Sequence, residues 1–221
     1  MDISNRLRKI YNVLLKAFGP QHWWPGDTPL EIIVGAILTQ NTSWSNVEKA
    51  IANLKSAKLL DAGKLKEVPV EKLAELIRPA GYFNIKARRL KNFFDWLDAH
   101  HQCDLDRMFS RGLPALREEL LEVRGIGPET ADSILLYAGQ KPSFVVDAYT
   151  YRVFSRHQLI PSETTYDEIK EFFESNLPQD VPLYNEYHAL IVAVGKRYCK
   201  SRPLCPECPL GKAIGPGVLS D

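Results

Sequence analysis

Three groups of residues have types and spacings that could do chemistry. The first is Leu121-Glu122-Val123-Arg124-Gly125-Ile126-Gly127-Pro128-Glu129-Thr130-Ala131, where two helical stretches meet at a Gly-apolar-Gly turn. Glycines permit a tight turn and the close approach of another backbone. They leave successive N–H groups at the start of the following helix free to take an anion, and a DNA phosphate suits such a site. Contacts of that kind position a duplex without reading its sequence. An ordinary turn between helices has the same spelling, so the tripeptide alone does not decide. The second is Asp147, twenty residues after Gly127. Ahead of a helical stretch it reads as an N-cap. Cap donors and the helix dipole favour the ionised carboxylate. A fixed, ionised carboxylate suits a reaction that develops positive charge on a sugar. The third is Cys199-x5-Cys205-x2-Cys208. Clustered thiolates suit a soft metal or an iron–sulfur centre. Three cysteines leave the shell incomplete, and Cys103 is distant in sequence. A cluster with a non-cysteine fourth ligand, a zinc site completed by another residue and a metal-free loop all stay open. A basic run, Lys86-Ala87-Arg88-Arg89-Leu90-Lys91, suits phosphate contacts or a solvated helix face.

The elements that must position these residues read as almost all helix. Residues 5–18 carry apolar side chains at a period near 3.6, and 19–26 break the pattern with prolines, glycines and two adjacent tryptophans. Thr28-Pro29-Leu30-Glu31 is a helix start, with Thr28 as cap, Pro29 at the first position and Glu31 able to complete a capping box. The apolar run that follows predicts a central, buried helix. Further helices are expected from Ser43, over 59–66, 70–77, 85–97, 114–123, 129–137, from Asp147 to Arg156, from the Thr165-x-x-Glu168 box to about Asn176, and over 181–198. Residues 211–221 read as a loose tail. No strand alternation and no repeat of fixed period is present. With 221 residues, 45% hydrophobic and 25% charged, the chain can bury a sizeable core and does not read as disordered. No apolar run approaches the length of a membrane span, and no signal peptide is legible, so a cytoplasmic, nucleoid-associated location is expected. A net charge of +1 excludes a uniformly basic coat but not a local basic face.

Taken together, the Gly-apolar-Gly hairpin and the Val-Asp that follows resemble the helix-hairpin-helix DNA glycosylases of the endonuclease III type. The resemblance extends over most of the chain. Leu38-Thr39-Gln40-Asn41-Thr42 resembles the family's intercalating segment, Gly81-Tyr82-Phe83-Asn84-Ile85-Lys86-Ala87 its second wedge, and Gly195 with the late cysteines its C-terminal cluster region. Within the superfamily the likeness is greater to the endonuclease III-like 3-methyladenine DNA glycosylases, through Trp23-Trp24-Pro25, 37–42, 78–84 and 125–132.

That resemblance implies an all-α, two-lobed fold with the active-site cleft between lobes. Residues 25–141 would form one lobe ending in the hairpin, and 1–24 with 142–221 the other. It implies catalysis by Asp147 and a base pocket of Trp24, Pro25 and Trp44, with the two indoles sandwiching a flipped, cationic alkylated purine. Gln40 and Tyr82 would fill the space the base vacates. Gly125, Ile126, Gly127, Thr130 and Lys86 would hold the DNA backbone. Members that also cut the strand carry a lysine just after the hairpin, where this chain has Glu129. A carboxylate cannot be that amine nucleophile, so water-mediated base removal without lyase activity is implied. The family's usual cluster loop has four cysteines and a six-residue first gap; here the gap is five and Ile214 stands at the last position. An iron–sulfur cluster on Cys199, Cys205 and Cys208, fourth ligand unknown, is the cofactor to look for. The expected partner is double-stranded DNA with a damaged base, bound by a monomer with no membrane. Two alternatives stay open. One is a related glycosylase for uracil, mismatched thymine or oxidised pyrimidines. The other is a non-catalytic DNA-binding protein that uses the hairpin to dock.

Overall fold

A computed structural model describes residues 2–215 and 217. Thirteen α-helices and no strands are found among them: α1 (Ile3–Phe18), α2 (Pro29–Leu38), α3 (Trp44–Ser56), α4 (Ala62–Glu67), α5 (Val70–Leu76), α6 (Phe83–His101), α7 (Leu105–Phe109), α8 (Leu113–Glu122), α9 (Pro128–Ser133), α10 (Ala148–Arg156), α11 (Tyr166–Glu174), α12 (Val181–Arg197) and α13 (Pro209–Ile214). The chain divides into two compact units, Trp24–Lys141 and Met1–Trp23 with Pro142–Asp221.

In the unit Trp24–Lys141, α2 is the central helix. Ile33, Val34, Ile37 and Leu38 are fully buried, and Phe93, Leu90 and Leu97 of α6 belong to the same core. Thr28 caps α2 as its sequence predicts, its Oγ1 accepting from Glu31 N at 3.2 Å. The box does not close as expected, because Glu31 is drawn away. Its carboxylate takes the Asp27 N–H and Lys55 Nζ. A short 3-10 turn, Arg78–Ala80, precedes α6, and α9 runs on into a π-turn, Ile134–Ala138. A part-buried ion pair joins α8 and α9, with Arg117 Nε and Nη2 donating to the two oxygens of the buried Asp132 at 3.0 and 3.2 Å.

The other unit packs α1, α10, α12 and α13 together, with Leu7, Ile10 and Leu14 of α1 buried. An aromatic core of Phe144, Phe154, Phe173, Tyr184 and Tyr187 lies inside it, and the Tyr187 hydroxyl donates to Leu7 O at 2.9 Å. Asp147 caps α10 and the Thr165–Glu168 box opens α11, both as the local sequence predicts. Helices α7 and α13 are absent from the sequence-based expectation. They span five and six residues, too few for a periodic pattern to register. The expected loose tail is corrected in part: its first residues, 211–214, belong to α13, and 216 and 218–221 lie outside the described residues.

Candidate functional site

The hairpin is built from the inside out. Val123 and Ile126 are buried, so the turn is pinned by two apolar anchors, and Ile126 N donates to Val123 O at 2.9 Å. The Ile126 side chain thus belongs to the core and leaves only its backbone at the turn. Gly125 has φ +99°, and a Cβ there would come within 2.5 Å of Arg89 Cγ. Only glycine satisfies both demands. Gly127 differs: it caps α9 with ordinary extended backbone and has open space around it. Pro128 occupies the first helical position, where a missing N–H costs nothing.

Gln40 is bound to this hairpin. Its Nε2 donates to Gly125 O at 3.1 Å and to Thr130 Oγ1 at 2.9 Å, and Arg89 Nη1 donates to its Oε1. Asn92 Nδ2 adds a bond to Arg124 O at 2.9 Å. The side chain expected to plug a gap in DNA thus ties the end of α2 to the hairpin, and the buried Thr130 hydroxyl receives it. Tyr82 is the contrast. It is 68% exposed, at φ 45° ahead of α6, and Ile85 beside it is also exposed. The ring thus stands in solvent on a left-handed residue rather than in the core.

Lys86 requires a correction. It is 1% exposed, and its Nζ donates to Leu38 O and Ala80 O, both at 2.8 Å. These are the last carbonyls of α2 and of the 3-10 turn, where the helix dipoles present negative charge. Burial, with the Arg89 charge added, pushes its pKa down to about 8. Lys86 is thus placed as an internal brace between the ends of α2 and the 3-10 turn, and not on the surface where a phosphate contact was expected. The basic run divides in the same way: Arg89 turns toward Gln40, Lys91 donates to Lys66 O, and Arg88 stays exposed.

The aromatic pair also departs from expectation. Trp24 and Trp44 meet edge to face, centroids 5.3 Å apart at 88°, and Trp24 lies 4.9 Å from Tyr137. Both indoles close over Gly35, where a Cβ would sit 3.3 Å from each. Sandwiching a base needs two parallel faces with room between them. This pair is a packed aromatic wall rather than a slot, because edge-to-face contact satisfies the ring quadrupoles. Pro25 is exposed beside it, and the Trp44 Nε1 is buried without a hydrogen-bond partner.

In the other unit, Asp147 Oδ1 accepts from Thr150 N at 2.7 Å and from Thr150 Oγ1 at 3.0 Å. Its Oδ2 lies 3.6 Å from His188 Nε2 on α12. Burial by itself would raise the carboxyl pKa. The neighbouring His188 imidazole, with the two Thr150 donors, outweighs that and holds it below the ordinary carboxylate value. Trp23 packs on the His188 ring at 5.6 Å. Sequence reading missed His188 and Asn92, and placed Arg89 only in a basic run suited to phosphate contacts. A histidine inside an apolar helix gives no signal of its partner.

Cys199, Cys205 and Cys208 line one recess with Arg156, His157 and Leu210. Arg156 Nη1 donates to Cys199 Sγ at 3.4 Å and to Lys200 O at 2.6 Å, and Arg152 Nε to Cys199 O at 2.6 Å. Burial pushes the Cys208 thiol up. Among the described residues no three of His, Cys, Asp or Glu are arranged to hold a metal ion. With Ile214 at the fourth position, on α13, this donor set does not fit a four-cysteine iron–sulfur cluster.

Residues 34–179 match the model of the HhH-GPD superfamily base excision DNA repair protein. A Methanocaldococcus jannaschii protein with the provisional name of DNA repair glycosylase is 52% identical over 209 residues, 91% of this chain and 92% of that one. Endonuclease III of Sulfolobus acidocaldarius is 31% identical over 216 residues, 94% and 93% of the two chains. Among solved structures, H. pylori 3-methyladenine DNA glycosylase bound to 1,N6-ethenoadenine superposes with a TM-score of 0.75 at 32% identity, covering 89% of this chain and 98% of that one.

Proposed function

This chain belongs to the HhH-GPD superfamily of base excision DNA repair proteins and is a DNA glycosylase; from that premise we propose that it is monofunctional and removes alkylated purines of the 3-methyladenine type. The observation that carries the reading is Asp147, an ionised cap whose Oδ1 is taken up by Thr150. A carboxylate held in that form stabilises the oxocarbenium-like sugar that forms as the N-glycosidic bond breaks. The base departs with the bonding pair as that bond breaks, and water then adds to the sugar carbon and gives up a proton, leaving an abasic site. A purine alkylated on its ring leaves as a neutral molecule, so little acid catalysis is required.

The choice of lesion rests on two supports. One is the likeness to a glycosylase whose bound ligand is an adenine derivative. The other is the indole-rich wall of Trp24 and Trp44 beside Pro25, since indole faces attract cations. The absence of strand cleavage rests on Glu129, in the first turn of α9, where an amine nucleophile would have to stand. The Gly125–Gly127 backbone takes a phosphate, and Tyr82 enters the duplex where the base has left.

The test is release of free bases from methylated, uracil-containing, thymine-mismatched and oxidised duplexes, identified by mass spectrometry. Release of 3-methyladenine is expected, leaving an intact strand that breaks only in hot alkali. Borohydride should trap no covalent complex. Asp147→Asn should keep DNA binding and lose excision by orders of magnitude. Release of pyrimidines alone would move the enzyme to the other lesion class, and strong trapping would overturn the monofunctional reading.

A further inference from the structure

Asp147 is one of four aspartates that cap helices by the same bond. Asp61, Asp104 and Asp180 each accept from the backbone N–H three residues on, at 2.9, 3.1 and 2.7 Å. All three are exposed, and none faces a histidine among the described residues. Capping a helix therefore needs no second partner in this chain. Asp147 has one. His188 is 4% exposed, and its Nε2 points to within 3.6 Å of Oδ2, the oxygen that Thr150 leaves unused.

The imidazole is held from three sides. Its neighbours on α12, Tyr187, Ala189, Leu190 and Ile191, are buried; the Trp23 indole packs on its face; and α10 packs along α12. Burying an imidazole beside a carboxylate removes both from water, which a merely structural contact does better with apolar groups. The arrangement has a different use. With Oδ1 anchored by Thr150 alone, the carboxylate can still swing about its Cβ–Cγ bond. A second anchor on Oδ2 leaves one orientation.

We propose that His188 is a positioning residue for base removal, donating Nε2–H to Asp147 Oδ2 so that the carboxylate keeps a single orientation toward the developing sugar cation. The proposal rests on the reading of Asp147 as the catalytic carboxylate. The groups facing that carboxylate are Thr150 from its own helix and His188 from α12. Trp23, on the far face of the imidazole, carries no charge, and the Tyr166 hydroxyl meets the backbone N–H of Val146 at 3.3 Å. His188 is the charged or ionisable neighbour with the largest effect on Asp147 among the described residues.

The experiment compares wild type, His188→Leu, His188→Gln and Asp147→Asn in single-turnover excision at saturating enzyme. The probe is whichever of methylated, uracil-containing, mismatched or oxidised duplexes the wild type turns over. Binding of a duplex with an uncleavable abasic analogue and thermal melting are measured alongside. The leucine variant should excise roughly 10–100-fold more slowly with little change in binding, the loss expected for one hydrogen bond to a charged group. The acid limb of its rate profile should move to higher pH, because the anchor that holds the Asp147 carboxyl down is gone. The glutamine variant, which keeps an N–H donor, should recover most of the rate. A leucine variant with wild-type melting, rate and acid limb overturns the proposal. So does a folded glutamine variant as slow as Asp147→Asn, which keeps the two arms decisive if leucine fails to fold. Wild-type turnover by Asp147→Asn would instead remove the reading on which the proposal rests, as would no turnover of any duplex by the wild type.

Discussion

Replacing Lys86 by methionine separates an internal brace from a DNA contact. The ammonium bonds the last carbonyls of α2 and of the 3-10 turn, both at 2.8 Å. Without it, two buried acceptors lose their partner, at about 1–3 kcal/mol each. Against this, the variant no longer desolvates a charge. The fall from 10.5 to about 8 corresponds to roughly 3 kcal/mol held against the charged form at pH 7. Set against about 2–6 kcal/mol for the two acceptors together, that leaves a net loss of up to about 3 kcal/mol, a drop in Tm of up to roughly 10 °C for a chain of this size. The pH dependence has a definite sign. Between pH 8 and 10.5 the unfolded lysine holds a proton that the folded one has lost, so wild-type stability rises with pH there. The gap between wild type and variant should therefore widen through that window, measured by urea melts. DNA affinity, measured against salt below the melting range, should keep its slope, whereas a lost phosphate contact would reduce it by about one unit. An unchanged melt with a shallower salt slope would refute the brace and restore Lys86 to the DNA interface.

Two further outcomes are expected. Gly125→Ala forces a side chain into φ +99° and against Arg89 Cγ, so it should lose about 1–3 kcal/mol and weaken binding to all duplexes alike. Gly127→Ala, in open space at ordinary φ, should do little; equal effects at the two positions would show that the close approach to Arg89 does not matter. Iron, zinc and sulfide measured on protein purified without oxygen should fall well short of a four-iron cluster per chain, because only three cysteines line the recess and Arg156 already bonds one of them. Four irons per chain would mean that a fourth ligand outside the three thiols completes the site.

The features legible in the sequence are those decided within one helical turn. Asp147, Thr28 and Thr165 each bond a backbone N–H three residues away, so residue type and spacing suffice to place the cap. The hairpin is of the same kind, since Gly125 must be glycine for a local φ and Pro128 can start α9 without a neighbour's help. The long helices follow from periodicity, and the family resemblance follows from these local pieces in order. What tertiary structure decided involves partners far apart in the chain. Lys86 meets a carbonyl 48 residues away, and Gln40 meets one 85 away. A basic run on paper therefore separates into a brace, a hairpin contact, one exposed arginine and a lysine that donates to Lys66 O. Trp24 and Trp44 are aromatic in either reading, and only packing over Gly35 sets their rings at right angles. His188 is the extreme case. Nothing near it in sequence marks it, and its place beside Asp147 exists only because α10 and α12 pack together. Local bonds are written in residue type and spacing, whereas the partner of a buried polar group is chosen by which helices close over it.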